Sequence, residues 1–105
     1  MDTFKLKHTA AQRLPGAKAQ GIIGVVASGN LEVLLERVLA GKDCEVEIVT
    51  PAEGFEATWR AVVAEFIRRA SPGGLRISIN DGGARPDTVA LRLAQGARLM
   101  ESESA

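Results

Sequence analysis

The chain has 105 residues, of which 46% are hydrophobic and 25% charged, so its size and composition predict one globular domain with a single core. Thirteen Lys and Arg residues balance thirteen Asp and Glu residues. A neutral chain lacks the broad positive field that draws proteins to nucleic acids or to anionic membranes. We therefore expect no nucleic-acid partner.

The sequence offers little material for catalysis or metal binding. Cys44 is the only cysteine and His8 the only histidine, so neither an internal disulfide nor a cysteine-based metal site can form. No N-terminal run resembles a signal peptide, and none approaches the roughly 20 apolar residues of a membrane span. These observations predict a cytoplasmic protein that has no membrane span and no metal site. We also expect that the protein is not itself an enzyme. We expect Cys44 to pack as a small apolar residue and His8 to be exposed.

The first predicted element is a short edge strand at the N-terminus, where Phe4, Leu6 and His8 alternate with two lysines. Residues 10–20 follow this strand. They mix proline, glycine and small residues without a clear period, and so predict a surface loop. Residues 1–20 are therefore expected to form an N-terminal edge strand and loop within the domain.

Two apolar segments separated by a short turn predict a hairpin. Residues 22–27 are mostly β-branched and apolar on both faces, which favours a strand that is well covered. Residues 31–36 place three apolar side chains on one face. Only Ser28, Gly29 and Asn30 separate the two segments. Because glycine and asparagine tolerate positive φ angles, this segment is typical of a hairpin turn.

The second half of the chain alternates strands with helices. Residues 44–50 and 75–79 alternate apolar and polar side chains and predict strands. Between them, apolar residues recur at helical spacing and predict a helix over residues 55–70. Residues 50–53 have the pattern of a capping box for this helix, and the alternative is that Gly54 delays its start.

A second helix is predicted to begin at Pro86, because proline suits the first helical position. Its apolar stripe consists of Val89, Leu93, Gly96, Ala97 and Met100. Glycine is costly inside a helix, so we expect Gly96 to permit a close approach to the sheet. Residues 101–105 are expected to form a polar tail.

Half-covered strands and two helices with one apolar stripe each are best buried as a two-layer α+β sandwich. We therefore predict a mostly antiparallel sheet of four or five strands with both helices on one face. A single domain is expected to span residues 1–105. Within it, the strand at residues 75–79 should face Trp59 and Phe66 across the interface between sheet and helix.

Three segments of the chain resemble a known protein family. They are GIIGVVASGNLEVLLE at residues 21–36, INDGGARP at residues 79–86 and VALRLAQG at residues 89–96. These segments are similar to the malonate decarboxylase acyl carrier proteins, also called delta subunits. The resemblance extends from about residue 20 to about residue 97, and residues 37–75 are less typical of the family.

The resemblance implies a site of covalent attachment. In this family the serine of the first motif carries a CoA-like group, which places the attachment site here on Ser28, with Gly29 and Asn30 supporting the turn. The implied cofactor is 2'-(5''-phosphoribosyl)-3'-dephospho-CoA, bound to Ser28 as a phosphodiester. A glycine beside the serine leaves room for another protein to approach. No base lies near Ser28 in the sequence, so the attaching enzyme would supply one.

The resemblance also implies partners and a carrier role. The partners are the transferase (alpha) subunit, the decarboxylase (beta and gamma) subunits and the prosthetic-group transferase, or holo-carrier synthase. The carrier holds acetyl and malonyl as thioesters, because a thioester accepts the electron pair left by carbon dioxide better than a carboxylate does.

Four residues of a later loop either form an ordinary turn or face a partner: Asp81, Gly82, Gly83 and Arg85.

Two other interpretations are open at this point. The carrier subunit (gamma chain) of citrate lyase uses a related group on a similarly small protein, although residues 28–33 match the malonate motif better. The chain could instead be a regulatory or assembly domain without a prosthetic group. An α+β sandwich is equally compatible with that role, because a fold does not determine a function. In that case residues 28–30 are only a hairpin turn.

Overall fold

The computed structural model describes residues 1–102 as a five-stranded sheet with two helices. In chain order the elements are β1 (Asp2–Thr9), β2 (Gln20–Gly24), β3 (Leu31–Arg37), β4 (Asp43–Thr50), α1 (Glu56–Ala70), β5 (Leu75–Asp81) and α2 (Pro86–Glu101). The predicted α+β fold class is confirmed. Of the predicted polar tail, Glu101 still belongs to α2, and residues 103–105 lie outside the described residues. Neither helix in residues 1–102 is long and apolar enough to cross a membrane.

The sheet order is β1-β4-β5-β3-β2, with β4 and β5 parallel and the other neighbouring pairs antiparallel. Helix α1 is the crossover that a parallel pair requires. The pairing sets Asp2 opposite Thr50 and Leu31 opposite Asp81. These residues, with Gly24, mark one end of the sheet, which we call the turn end. Both helices follow strands that finish there, so their N-termini also lie at the turn end.

One face of the sheet supplies most of the core. Strict alternation in β3, β4 and β5 places apolar side chains on that face, and all of these are buried: Leu31, Val33, Leu35, Cys44, Val46, Ile48, Leu75, Ile77 and Ile79. The opposite face is open and carries charged side chains, including an Arg76–Glu36 ion pair at 3.3 Å. Such surface pairs contribute at most about 1 kcal/mol each. Burial of the apolar face therefore dominates the stability of the sheet.

Helix α2 packs on β2 and β3 through the predicted stripe. All five residues of the stripe are buried: Val89, Leu93, Gly96, Ala97 and Met100. A Cβ placed on Gly96 would lie 2.9 Å from Cδ1 of Leu35, a distance that real Cβ atoms essentially never show. The expectation that Gly96 permits a close approach to the sheet is therefore confirmed.

Helix α1 buries most of its predicted stripe in the same core as β5. The buried residues are Trp59, Val63, Phe66 and Ile67. Phe55, at the start of the stripe, is instead 54% exposed. It occupies the N-cap position, where the chain has not yet turned onto the core, so its ring remains at the surface.

The capping box predicted for α1 does not form. The N-cap residue is Phe55, which makes no side-chain cap hydrogen bond. The hydroxyl of Thr50, which the capping box would use, donates instead to Oδ2 of Asp81 at 2.8 Å. Gly54 has a φ of 83°, and the helix begins only after it. The alternative start, delayed by Gly54, is therefore the one observed.

The segment between β1 and β2 was wrongly predicted to be only a surface loop. Ala10 and Leu14 are buried in the core. The guanidinium of Arg37 holds this segment in place, since it donates to the carbonyl of Leu14 at 2.5 Å and to that of Lys18 at 3.0 Å. His8, expected to be exposed, is half-buried because its strand turns that side toward the core.

We predict that Ile77→Ala lowers the free energy of unfolding by roughly 2–5 kcal/mol, because Ile77 is fully buried and its loss leaves a cavity. Chemical denaturation followed by circular dichroism measures the change. Asn80→Ala, on the open face of the same strand, serves as the control and is expected to stay within about 0.5 kcal/mol of the parent. An unchanged denaturation midpoint for Ile77→Ala would show that β5 faces the other way.

Candidate functional site

Ser28 lies exposed in the turn that joins β2 to β3 at the turn end of the sheet. Gly29 follows with a φ of 76°, a conformation that L side chains rarely adopt. A Cβ added to Gly29 would have nothing within 4 Å, so the space beside the serine is open. The predicted exposure of Ser28 between two strands is therefore observed. Its role in attachment stays a prediction.

The side chain of Asn30 fixes the far side of this turn. Its Oδ1 accepts hydrogen bonds from the backbone N–H of Leu31 at 2.8 Å and from Nε of Arg92 at 3.1 Å. Arg92 also donates to Oε1 of Gln95 at 2.9 Å. A half-buried cation on α2 is thereby held against the turn that carries Ser28.

The loop after β5 supports the turn from the other side. The N–H of Gly29 donates to the carbonyl of Gly82 at 3.1 Å, and the N–H of Gly82 donates to the carbonyl of Asn30 at 2.8 Å. The two backbones come so close that a Cβ on Gly82 would lie 2.1 Å from the carbonyl oxygen of Ala27. Glycine is therefore required at position 82 for this contact.

Asp81 anchors that loop from inside the protein. It is 7% exposed, and its two carboxylate oxygens accept hydrogen bonds from the hydroxyl of Thr50 at 2.8 Å and from the N–H of Ala84 at 2.9 Å. Of the four residues proposed as a partner-facing loop, only Gly83 and Arg85 are exposed. Whether a partner contacts this loop stays a prediction.

The strand leading to Ser28 is shorter and less covered than expected. It ends at Gly24, whose φ is 82° and where a Cβ would lie 2.1 Å from the carbonyl oxygen of Leu31. The prediction of a well-covered strand over residues 22–27 was wrong, because β2 is the edge of the sheet. Three apolar side chains in the segment that leads to Ser28 are more than half exposed: Ile22, Val25 and Val26.

Neither His8 nor Cys44 is placed to activate Ser28 as a base. His8 pairs with Cys44 toward the end of the sheet opposite the turn end. Burial raises the pKa of the Cys44 thiol to about 12, so this group is neutral and not a nucleophile at ordinary pH. Residues 1–102 contain no cluster of His, Cys, Asp or Glu that could hold a metal ion. The site presents an exposed hydroxyl.

The surroundings of Ser28 suit a group attached through a phosphate. The hydroxyl is exposed and Gly29 leaves space beside it. Only two of the five N–H donors of Arg92 are used in its bonds to Asn30 and Gln95. The N-termini of α1 and α2, both without a side-chain cap, add partial positive charge at the turn end. These features fit a phosphodiester on Ser28 with a bulky group beyond it.

Comparison with known proteins identifies the family. Residues 18–100 match the family model described as "Malonate decarboxylase delta subunit (MdcD)". The chain belongs to this family. The resemblance inferred from the sequence is thereby confirmed, since the match covers all three segments that carried it.

Individual members of the delta-subunit family show the same similarity. The chain is 56% identical over 98 residues to "Malonate decarboxylase acyl carrier protein" of Bradyrhizobium diazoefficiens, covering 93% of both chains. It is 44% identical over 105 residues to the protein of the same name from Xanthomonas campestris, covering both chains in full. A solved chain from "Crystal structure of a Pseudomonas malonate decarboxylase hetero-tetramer in complex with malonate" matches with a TM-score of 0.83 and 33% identity, covering 95% of this chain and 99% of that one.

Sequence reasoning placed Ser28 on an exposed turn and named Asn30 and Gly82, but it missed the contacts that hold this turn. Arg92 lies within a segment that resembles the family, yet nothing local shows that it contacts Asn30, 62 positions away. The pairing of Gly82 with the turn was missed for the same reason. Helical spacing gives one usable signal, because Arg92 lies three residues after Val89 and four before Gly96, which are both buried on α2.

We predict that Gly82→Ala displaces the Ser28 turn, because the new methyl group would overlap the carbonyl oxygen of Ala27. Faster hydrogen exchange at the amide of Gly29, which donates to Gly82, reports the displacement. Gly83→Ala is the matched control in the same loop. Its φ of 91° strains any L residue, but the added methyl group has no neighbour within 4 Å. Equal exchange at Gly29 in both variants would contradict the assignment.

We predict that Cys44 resists alkylation by iodoacetamide in the folded protein at mildly alkaline pH and reacts rapidly after denaturation, because the buried thiol stays protonated. The raised pKa also has a thermodynamic effect. Stability should fall as the pH rises from the ordinary thiol value of 9.0 toward about 12, since only the unfolded chain loses the proton in that interval. Mass spectrometry and denaturation at several pH values measure the two effects. Rapid alkylation of the native chain would show that Cys44 is accessible.

Proposed function

We propose that this chain is the acyl carrier subunit of a malonate decarboxylase and that it carries its acyl groups on a CoA-like arm bound to Ser28. The observation that carries the proposal is the exposed Ser28 hydroxyl on a hydrogen-bonded turn in a member of the delta-subunit family. The proposed arm is 2'-(5''-phosphoribosyl)-3'-dephospho-CoA. When bound, it supplies a terminal thiol on which acetyl and malonyl groups form thioesters.

Ser28 acts as the nucleophile only once, when the arm is attached. Its Oγ forms a bond to phosphorus, the leaving group of the activated donor departs, and the hydroxyl proton passes to a base. That base belongs to the attaching enzyme in this proposal, since His8 and Cys44 lie away from the turn end. The open space at Gly29 lets the attaching enzyme reach the hydroxyl.

Positive charge at the turn end supports the attached state. A phosphodiester carries one negative charge, and a guanidinium is well suited to bind phosphate oxygens. Arg92 is held near the turn by Asn30 and Gln95, so little of its conformational freedom remains to be lost. The helix N-termini at the same end add a smaller favourable term.

The protein contributes to the reaction by tethering the acyl group. A tethered intermediate reaches each catalytic subunit at an effective concentration of roughly millimolar order, rather than by free diffusion. The hydrogen-bonded turn fixes one end of the arm. We propose that the carrier and its substrates meet in the cytoplasm, the location predicted from the sequence. The carrier itself needs no catalytic residue in this scheme.

The exposed apolar side chains of the segment that leads to Ser28 support assembly with other subunits. Ile22, Val25 and Val26 are each more than half exposed, and clustered exposed apolar side chains mark contacts between proteins. The similar solved chain belongs to a malonate decarboxylase hetero-tetramer. We propose that the partners are the transferase (alpha) and decarboxylase (beta and gamma) subunits, with the holo-carrier synthase as a transient partner. No observation favours citrate lyase or an unmodified regulatory domain.

We predict that Ser28→Ala changes the free energy of unfolding by no more than about 0.5 kcal/mol, because the hydroxyl is exposed. The same substitution should abolish covalent loading, since it removes the oxygen that binds the arm. Co-expression with the attachment enzymes, followed by intact mass measurement, tests both chains side by side. Malonate decarboxylation by the assembled complex should be lost together with loading.

Thr3→Ala is the matched control for this experiment, because Thr3 is another exposed hydroxyl near the turn end of the sheet. It should gain the same adduct as the parent chain. An identical adduct on Ser28→Ala would show that another residue is the attachment site. If the parent chain gains no adduct, the carrier proposal fails.

A further inference from the structure

A cavity of about 260 Å³ lies at the turn end between the first turns of the two helices. Its walls come from α1, from α2 and from the loop after β5, and they include Phe55, Trp59, Val62, Ala84 and Val89. Nothing in the scheme proposed above uses it. Its position and chemistry therefore need a separate explanation.

The cavity lies close to the attachment site. Gly82 pairs with the Ser28 turn, and the next two residues along the chain, Gly83 and Ala84, line the cavity. Consecutive Cα atoms are about 3.8 Å apart, which places the cavity wall at Gly83 within about 12 Å of Ser28. Any group attached to Ser28 by a short linker can reach it.

The walls favour a flat aromatic ring. Phe55 exposes 54% of its surface although it is aromatic, and Trp59, one turn further along, lines the cavity with the 6% of its surface that is exposed. Aromatic rings attract one another in offset or edge-on arrangements. The one charged group in the wall, Asp81, already accepts hydrogen bonds on both carboxylate oxygens. The volume is below the roughly 300–1,000 Å³ of pockets that enclose a drug-sized ligand, so it suits a single ring system.

The parts of the proposed arm differ in how well they match this cavity. Malonyl is charged and would lie unfavourably in an apolar site beside Asp81. The thiol end is separated from Ser28 by the full length of the arm. The adenine base is flat and aromatic, and it belongs to the nucleoside portion nearest the attachment point.

We infer that the adenine of the attached arm docks in this cavity, against Phe55 and Trp59. The inference rests on the proposed function. Tethering raises the local concentration of the base to roughly millimolar order, so a contact with a dissociation constant of roughly that order is substantially occupied. Docking anchors the nucleoside portion beside the turn end and leaves the thiol portion to move between partner subunits.

Trp59 provides a direct probe, because the chain contains one tryptophan and no tyrosine. The experiment uses isotope-labelled chain loaded with unlabelled arm by the attachment enzymes, with intact mass confirming the adduct. Loading should shift the indole N–H resonance of Trp59 and reduce its fluorescence. It should also give nuclear Overhauser contacts between the adenine protons and the rings of Phe55 and Trp59.

Phe55→Ala is the informative variant and Leu91→Ala the matched control. Phe55 and Leu91 are 54% and 52% exposed, so truncating either should leave the fold intact. Loaded Phe55→Ala should lose most of the indole shift, whereas loaded Leu91→Ala should keep it.

The two proposals fail in different ways. A loaded parent chain whose Trp59 signals match those of the unloaded chain, with no contacts to adenine, overturns the docking inference and leaves the carrier function standing. Absence of any adduct on the parent chain removes the proposed function and the docking inference together. An indole shift that persists unchanged in Phe55→Ala also overturns docking against this ring.

Discussion

The reciprocal backbone pairing between Gly82 and the Ser28 turn is the contact on which the site depends. Gly82 can approach the turn because it has no side chain, and it is held there because the neighbouring Asp81 is buried and bonded to Thr50. A carboxylate inside the protein thus helps to hold an exposed serine in position. A surface turn supported in this way suits the proposed attachment of a mobile group to Ser28.

The parallel pairing of β4 with β5 explains why so many features meet at one end of the sheet. A parallel pair needs a crossover, and the crossover here is α1. Both helices consequently start where β4 and β5 finish, beside the β2–β3 turn. The same topology brings together the β2–β3 turn, the N-termini of both helices, Arg92 and an apolar cavity, although the turn, α1 and α2 are far apart in sequence.

The sequence predicted elements well where one face is buried. The sequence predicted the alternation in β3 and β5 and the apolar stripe of α2, because burial imposes a period on the residues. It predicted the exposed turn at Ser28 from the short Gly-Asn segment between two apolar runs. The prediction of a covered strand over residues 22–27 was wrong, because an apolar edge segment exposed to solvent has the same composition as a covered strand. Strand order, the burial of Leu14 and the contact of Arg92 with Asn30 depend on pairings between distant segments, which no local pattern records.

The two edges of the sheet are protected to different degrees. β1 presents Lys5 and Lys7, whose charges discourage pairing with a foreign strand, whereas β2 has no charged residue and continues into exposed Val25 and Val26. An unguarded apolar edge is a template for association between copies. On the proposal that partner subunits pack on this edge, a cell that makes the chain in excess of them risks aggregation, and balanced synthesis of the subunits becomes a condition for keeping the chain in solution.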